Sequence, residues 1–354
     1  MIQRQLNCGQ TKENEMKKKG KRLDAVDGAE TSSSGDGMRR GARVYLRDFT
    51  FLSPEQEGQM IRLERRRCFD SFYPFQILPE KGVGRIEFEP ITIFYGGNGS
   101  GKSTMLNIIA AKLGLLRELP FNPSPFFDWY VNGVTRRVYG MVEDKDVHVD
   151  GTSFNSSLPD EIKGVPDASR ILTSEDVFDK TLAIRKRNRE IDRDREEIGR
   201  RWWKYRVEGQ RVPYSGMEGE AREMWLAQRR MNGKTMTKVI LEELGRNEKT
   251  GSNGENAFDF FLEKIREGAL YLLDEPENSL SAEWQKKLAV FLEGMARFEA
   301  CQFVVATHSP FLLGIRGAKI YDLDTAGVPV RKWTELENVR AYFDFFKSRE
   351  KEFS

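Results

Sequence analysis

The chain of 354 residues is long enough for one large or two small domains around a buried core. It is 39% hydrophobic and 32% charged, and its 57 basic and 55 acidic side chains leave a net charge of +2. That balance singles out neither nucleic acid nor an anionic surface as a partner, and no run reaches the roughly 18 uninterrupted apolar residues of a membrane helix. Three scattered cysteines (Cys8, Cys68, Cys301) and two histidines (His148, His308) exclude a disulfide framework and a histidine-rich metal site. No apolar leader core follows Met1, so the expectation is a reducing, cytoplasmic compartment.

In chain order, residues 1–42 read as a disordered basic tail. They carry Lys17, Lys18, Lys19, Lys21 and Arg22, the linker-like TSSSGDG, and few large apolar side chains. Ordered sequence starts near Arg43. VYLRDFTF alternates as a strand does, and GRIEFEPITIFYG supplies one or two more, ending at Tyr95. STMLNIIAAKLGLL then has the period of a largely buried helix. Residues 120–166 read as loop with short strand-like pieces, followed by strand-like RILTS. From Lys180 to Arg211 twelve basic side chains face six acidic ones, a local excess of +6, with Trp202, Trp203 and Tyr205 near the end. This predicts a charged helix projecting from the core, within an insertion at about 179–250. In the last third, ALYLLDE and CQFVVATHS are apolar runs that end in polar residues, as buried parallel strands do. The helical SAEWQKKLAVFLEGMARFEA lies between them, and strand-like AKIYDLD follows. The pattern predicts an α/β fold: a mostly parallel sheet flanked by helices, with its site along the carboxyl edge of the strands.

The residues that carry chemistry fall on that edge. GGNGSGKST, from Gly96 through Gly97, Asn98, Gly99, Ser100, Gly101, Lys102 and Ser103 to Thr104, satisfies GxxxxGK[ST] between a strand and a helix. Its glycines let backbone N–H groups curl around phosphate oxygens at a helix N-terminus. Lys102 can reach the β- and γ-phosphates of a nucleotide, and the Ser103 hydroxyl can ligate Mg²⁺. In LLDEPENSLS, Asp274 ends an apolar strand where it can hold Mg²⁺ through water. Glu275 beside it can orient and deprotonate an attacking water. Ser252-Asn253-Gly254-Glu255 opens an apolar helix with a small hydroxyl and a glycine, a second phosphate-binding pattern. His308 directly follows a strand; alone it reads as a structural histidine, and in this order of motifs as a hydrogen-bond partner of a γ-phosphate.

Together GGNGSGKST, SNGE, LLDEPENSLS and ATHS resemble the ATP-binding cassette ATPases, and within them the soluble branch of SMC, RecF and AAA-type ATPases. The resemblance spans roughly Arg43 to Phe353. It implies a P-loop ATPase domain over 43–354 with a helical subdomain carrying the signature, using ATP and Mg²⁺. It also implies a homodimer that sandwiches ATP, with Ser252 and Gly254 of one copy meeting the γ-phosphate held by Lys102 of the other. Ser279 to Ser281 would lie where chains cross between sites. Such a switch would act on nucleic acid or on a protein that processes it. The alternatives are an energy-coupling subunit of a membrane transporter and an ATP-dependent regulator of a toxin or nuclease in bacterial defence. One family feature is missing: no Gln occurs between Ser103 and Gly209 to contact Mg²⁺, which leaves Glu175 or Asp176 for that role.

Overall fold

The computed structural model describes residues 43–65, 68–69, 71–121, 123–138, 164–206, 233–245 and 252–353, with isolated positions between 219 and 229. The expected tail over 1–42, His148, and the charged segment beyond 206 lie outside the described residues.

The chain opens with strand β1 (Leu46–Thr50), helix α1 (Pro54–Leu63) and strands β2 (Arg85–Glu87) and β3 (Ile91–Tyr95). Helix α2 (Lys102–Leu113), helix α3 (Phe127–Gly133) and strand β4 (Thr135–Val138) follow. After strand β5 (Arg170–Thr173) come helices α4 (Ser174–Arg206), α5 (Met236–Glu243) and α6 (Asn253–Lys264). Strand β6 (Leu270–Asp274), helix α7 (Ala282–Phe298), strand β7 (Gln302–Thr307) and the single turn α8 (Pro310–Leu313) build the centre. Strands β8 (Lys319–Asp322) and β9 (Val330–Arg331) and helix α9 (Glu337–Ser348) complete the described chain.

The main sheet has the order β5-β6-β7-β3-β8-β9, parallel except for β9. Its central strands are apolar on both faces because both are covered. Phe94, Leu272, Val304 and Ala306 face α2 and the β2-β1-β4 sheet, while Ile93, Tyr95, Leu273 and Val305 face the side of α6, α7 and α9. The small antiparallel β2-β1-β4 sheet was not part of the sequence expectation. It is joined to the main sheet by the fully buried Gln302. The Gln302 Oε1 accepts from the Tyr45 and Leu46 N–H groups at 2.8 Å each, and its Nε2 donates to the Leu46 and Glu89 carbonyls at 2.9 and 3.2 Å.

Two local readings need correction. FNPSPFFDWY, read as loop, contains the start of α3; Pro123 and Pro125 precede the helix, where a missing N–H costs nothing. The charged helix α4 runs 33 residues but does not simply project. Lys180 pairs with Glu263 of α6, and Arg185 donates to Asn253 Oδ1 at 2.6 Å. Further along, Ile198 and Trp202 pack with Val239 and Ile240 of α5 and with Leu244 just past it, and the Trp202 indole N–H donates to the Lys234 carbonyl at 3.3 Å.

Candidate active site

Strand pairing gathers the polar ends. Tyr95 of β3 lies opposite Thr307 of β7, and Asp274 of β6 opposite Ala306. The residues after these positions (Gly96 onward, Glu275 and His308) therefore leave the sheet along one edge, at the crevice that open α/β sheets use for ligands.

The glycine loop is shaped by close approach. A Cβ on Gly96 would fall 2.5 Å from Ser100 Oγ, and Gly99 and Gly101 hold left-handed φ values of 79° and 93°. Gly101 caps α2 with no side-chain hydrogen bond, whereas Ser53 caps α1, Thr235 caps α5 and Ser252 caps α6. The first-turn N–H groups of α2 are thus left for an anion, with the positive end of the helix dipole behind them. Lys102, 4% exposed, folds its ammonium back over the loop. It donates to the Gly96 and Gly97 carbonyls at 2.8 Å each and lies 3.6 Å from Glu275 Oε1. Asp324 accepts both of its contacts from the Gly97 N–H, at 2.8 and 3.1 Å.

Ser103 Oγ donates to Asp274 Oδ1 at 3.0 Å. Burial pushes the Asp274 carboxyl up to about 6, the Glu275 charge adds to this, and the Ser103 hydrogen bond and Lys102 oppose it. Glu275 stands in the left-handed region (φ 45°, ψ 53°) and is oriented by Asn278 Nδ2, which donates to its Oε2 at 2.9 Å. Beside these residues lies a cavity of about 450 Å³ lined by Ser103, Asn107, Arg117, Glu175, Asp274 and Glu275, among others.

That cavity separates the two candidates for the missing Gln. Asp176 is buried and spent on structure, accepting from the Thr173 N–H at 2.7 Å, the Thr173 hydroxyl at 2.9 Å and the Leu119 N–H at 3.1 Å. Glu175 lines the cavity with Ser103 and Asp274. It sits just past β5, the strand beside β6, with Thr173 opposite Asp274.

The structure brings Gly96 to Thr104, Asp274 and Glu275 together. It does not bring Ser252 and Gly254 to that cavity. Ser252 Oγ accepts from the Glu255 N–H at 3.2 Å, and a Cβ on Gly254 would meet Trp284 of α7 at 2.7 Å. His308 lies on the shared edge but turns toward Glu277, its Nδ1 3.3 Å from Glu277 Oε1, which leaves Nε2 as the nitrogen for a ligand. Sequence reasoning missed three residues. Arg117, whose guanidinium donates to Asn107 Oδ1, brings a partly buried cation into the cavity; burial lowers its pKa, and Asp176, Asp274 and Glu175 work against that. Glu277 accepts from the Thr307 hydroxyl at 2.5 Å and the His308 N–H at 2.9 Å. Asp324 steadies the loop at Gly97. Arg117 has no local signal, whereas Glu277 was visible in DEPENSLS without an assigned role.

A family model described as "AAA domain, putative AbiEii toxin, Type IV TA system" matches residues 252–314. That span covers Ser252, β6, Glu275 and His308; the glycine loop lies upstream of it. No curated protein matches the chain. Similar solved structures include a dimeric ATP-binding cassette protein in a post-hydrolysis state bound to ADP and Pi, at 15% identity, 71% of this chain, 90% of that chain and a TM-score of 0.34. They also include the Smc head domain of Pyrococcus furiosus with an extended coiled coil, bound to the C-terminal domain of ScpA, at 15% identity, 75% of this chain, 95% of that chain and a TM-score of 0.33. The SMC head domain of Thermotoga maritima has 14% identity over 81% of this chain and 98% of that chain, with a TM-score of 0.30. The glycine cradle, the Ser103–Asp274 pair and Glu275 gather at one edge of a mostly parallel sheet as a P-loop nucleotide site, and the match over residues 252–314 is to a family described as an AAA domain.

Proposed function

We propose that the chain is a Mg²⁺-dependent ATPase built over residues 43–354, with a charged helical insertion at about 179–250, and that it works as a dimeric switch. The observation that supports this best is the convergence of Lys102, Ser103, Asp274 and Glu275 beside an uncapped helix start. The residues fit the cofactors. Among the described residues no group of three or more His, Cys, Asp or Glu forms a ready metal cage. A hydroxyl and one carboxylate are nonetheless the donors Mg²⁺ takes when phosphates and waters complete its shell.

When bound, Mg-ATP would supply the phosphoanhydride to be cleaved and a metal charge that favours the ionised form of Asp274. The loop N–H groups from Gly96 to Thr104 hold phosphate oxygens, and Lys102 exchanges its carbonyl partners for them. Ser103 and Asp274 would hold the metal, with Glu175 at hand for the vacant Gln role. Glu275 orients water and takes its proton, and His308 contacts the γ-phosphate through Nε2. Ser252 and Gly254 do not reach their own cavity, which is compatible with the role that the resemblance implies for them, contact with the ATP of a second copy. A monomer then lacks one side of each site.

The switch acts on nucleic acid or on a protein that processes it. The nucleic-acid reading keeps Lys186, Arg189 and Arg193, which share a hollow on α4 with Glu190, and the exposed Trp203. It loses Trp202 to packing and Arg185 to Asn253. The matching family is described by a toxin of a type IV toxin–antitoxin system, which favours a protein effector over a transporter as the partner. No helix among the described residues is long and apolar enough to cross a membrane.

Light scattering with Mg-ATP tests the switch. Glu275→Gln, which retains ATP, becomes a tight twofold dimer, and Ser252→Arg in that background stays monomeric while still binding ATP. A Glu275→Gln protein that remains monomeric at saturating Mg-ATP overturns the sandwich.

A further inference from the structure

A second cavity, of about 500 Å³, opens on the far side of the Pro276–Ser279 turn. Glu277, His308 and Gln285 line it, together with the rings of Phe311, Trp333, Tyr342, Phe343 and Phe346. Glu277 is 5% exposed. Its Oε1 is engaged by Thr307 and His308, but among the described residues its Oε2 is buried with no hydrogen-bond partner. A buried carboxylate oxygen in that state is costly and rare in a folded protein. The rings around it are the reverse of buried: Trp333 is 42% exposed, Tyr342 45%, and Phe343 and Phe346 53% each. Among the described residues, a buried acceptor without a donor thus lies beneath exposed aromatic walls.

The chemistry of the walls selects the occupant. A carboxylate accepts only, so the guest must donate; aromatic faces favour a cation over a neutral donor. The rim already shows this preference. Lys286 lies 5.3 Å from the Phe311 ring centre, and Arg340 and Lys347 lie 5.6 and 5.5 Å from that of Phe343. These cations sit on rings, whereas the side-chain nitrogen beside Glu277 Oε1 is His308 Nδ1 at 3.3 Å. A planar guanidinium satisfies both demands at once, stacking on a ring while its N–H fork meets the carboxylate; an ammonium does the second but not the first. The cavity has room for one long side chain and its neighbours. Arginine and aromatic residues are also the groups that anchor protein interfaces.

We propose that this cavity receives an arginine side chain of a partner protein, its guanidinium pairing with Glu277 Oε2 between the rings of Trp333, Tyr342, Phe343 and Phe346.

Saturation-transfer NMR on the nucleotide-free full chain tests it, with Nα-acetyl-arginine methylamide as probe and its neutral citrulline counterpart as control. The arginine probe should show transfer to its side-chain methylenes, and citrulline should bind about tenfold more weakly. Glu277→Gln should erase the preference. Because Glu277 also holds Thr307 and His308, Phe343→Ala, at an exposed position, is the variant that spares the fold, and it should weaken the arginine probe as well. Equal binding of the two probes, or a preference that survives both variants, overturns the proposal. So does a dimer that the arginine probe splits into monomers in light scattering, since a second copy would then be the occupant. Lys102→Ala should bind the probe as the wild type does, so the result stands or falls apart from the ATPase assignment.

Discussion

Glu275 and Glu277 are the same acid two residues apart on one turn, yet they inhabit opposite regions. Glu275 keeps 24% of its side chain exposed and faces Lys102 across 3.6 Å, beside the cavity that holds Ser103 and Asp274. Glu277 is buried and clasps the end of β7 through Thr307 and His308. The left-handed backbone at Glu275 turns the chain so that the two carboxylates part. The difference teaches that role follows surroundings: the carboxylate beside the Ser103 cavity can exchange partners, whereas the buried one is fastened at Oε1 by Thr307 and His308.

The largest expected effect would break this division most directly. Glu275→Gln should lower ATP turnover by about 10³-fold while nucleotide binding persists, because the proton acceptor is gone and the phosphate cradle is intact. Glu277→Gln, which keeps an acceptor oxygen for His308, should lower turnover by less than about tenfold. Steady-state hydrolysis and equilibrium binding read both, and equal losses would mean that the two acids share the chemistry. Stability reverses the order. Glu277→Ala strands the Thr307 hydroxyl and the His308 N–H and should cost about 2–3 kcal/mol in urea unfolding, against about 0.5 kcal/mol or less for Glu275→Ala.

Asp274 sharpens the contrast from the strand side. Its folded value of about 6 lies above the ordinary 3.8, so the fold favours the protonated form. Its contribution is then whole below pH 4 and lost as pH rises through about 6. Asp274→Asn does not titrate and still accepts from Ser103. In the absence of nucleotide it should be about 2 kcal/mol more stable than the wild type at pH 7.5, after allowance for partial exposure, with the advantage vanishing near pH 4. Thermal melts across that range check it, and a constant offset would mean that the aspartate is not buried against its charge.

Much of the first region was legible because its function is written contiguously. GGNGSGKST supplies its own turn and helix start, and ALYLLDE carries its strand and acids in seven residues. Each end of those segments is placed by parallel pairing, which follows once the strands are recognised. The second region depends on distance. Glu277 meets His308 across 31 positions, and α9 brings the exposed Tyr342, Phe343 and Phe346 to the same cavity. Arg117 reaches the first cavity only through the turn after α2, in a stretch with no period of its own. Asp176 looked as suitable as Glu175 because sequence does not show which neighbour has its lone pairs already taken by Thr173 and Leu119.

Gln302 carries one more lesson, about what can move. Its amide has one acceptor oxygen and two donor hydrogens, and here the oxygen takes two N–H groups while the nitrogen serves two carbonyls. Such a joint works like a key cut for one lock. Glutamate would lose both donors, and asparagine would fall a methylene short. Sliding β1 along β7 by one residue would bring the three contacts to Tyr45 and Leu46 out of line together. The small sheet is therefore locked in translation to the strand that leads into His308, whereas on the helical side α4 and α6 meet through exposed, exchangeable pairs such as Lys180 with Glu263.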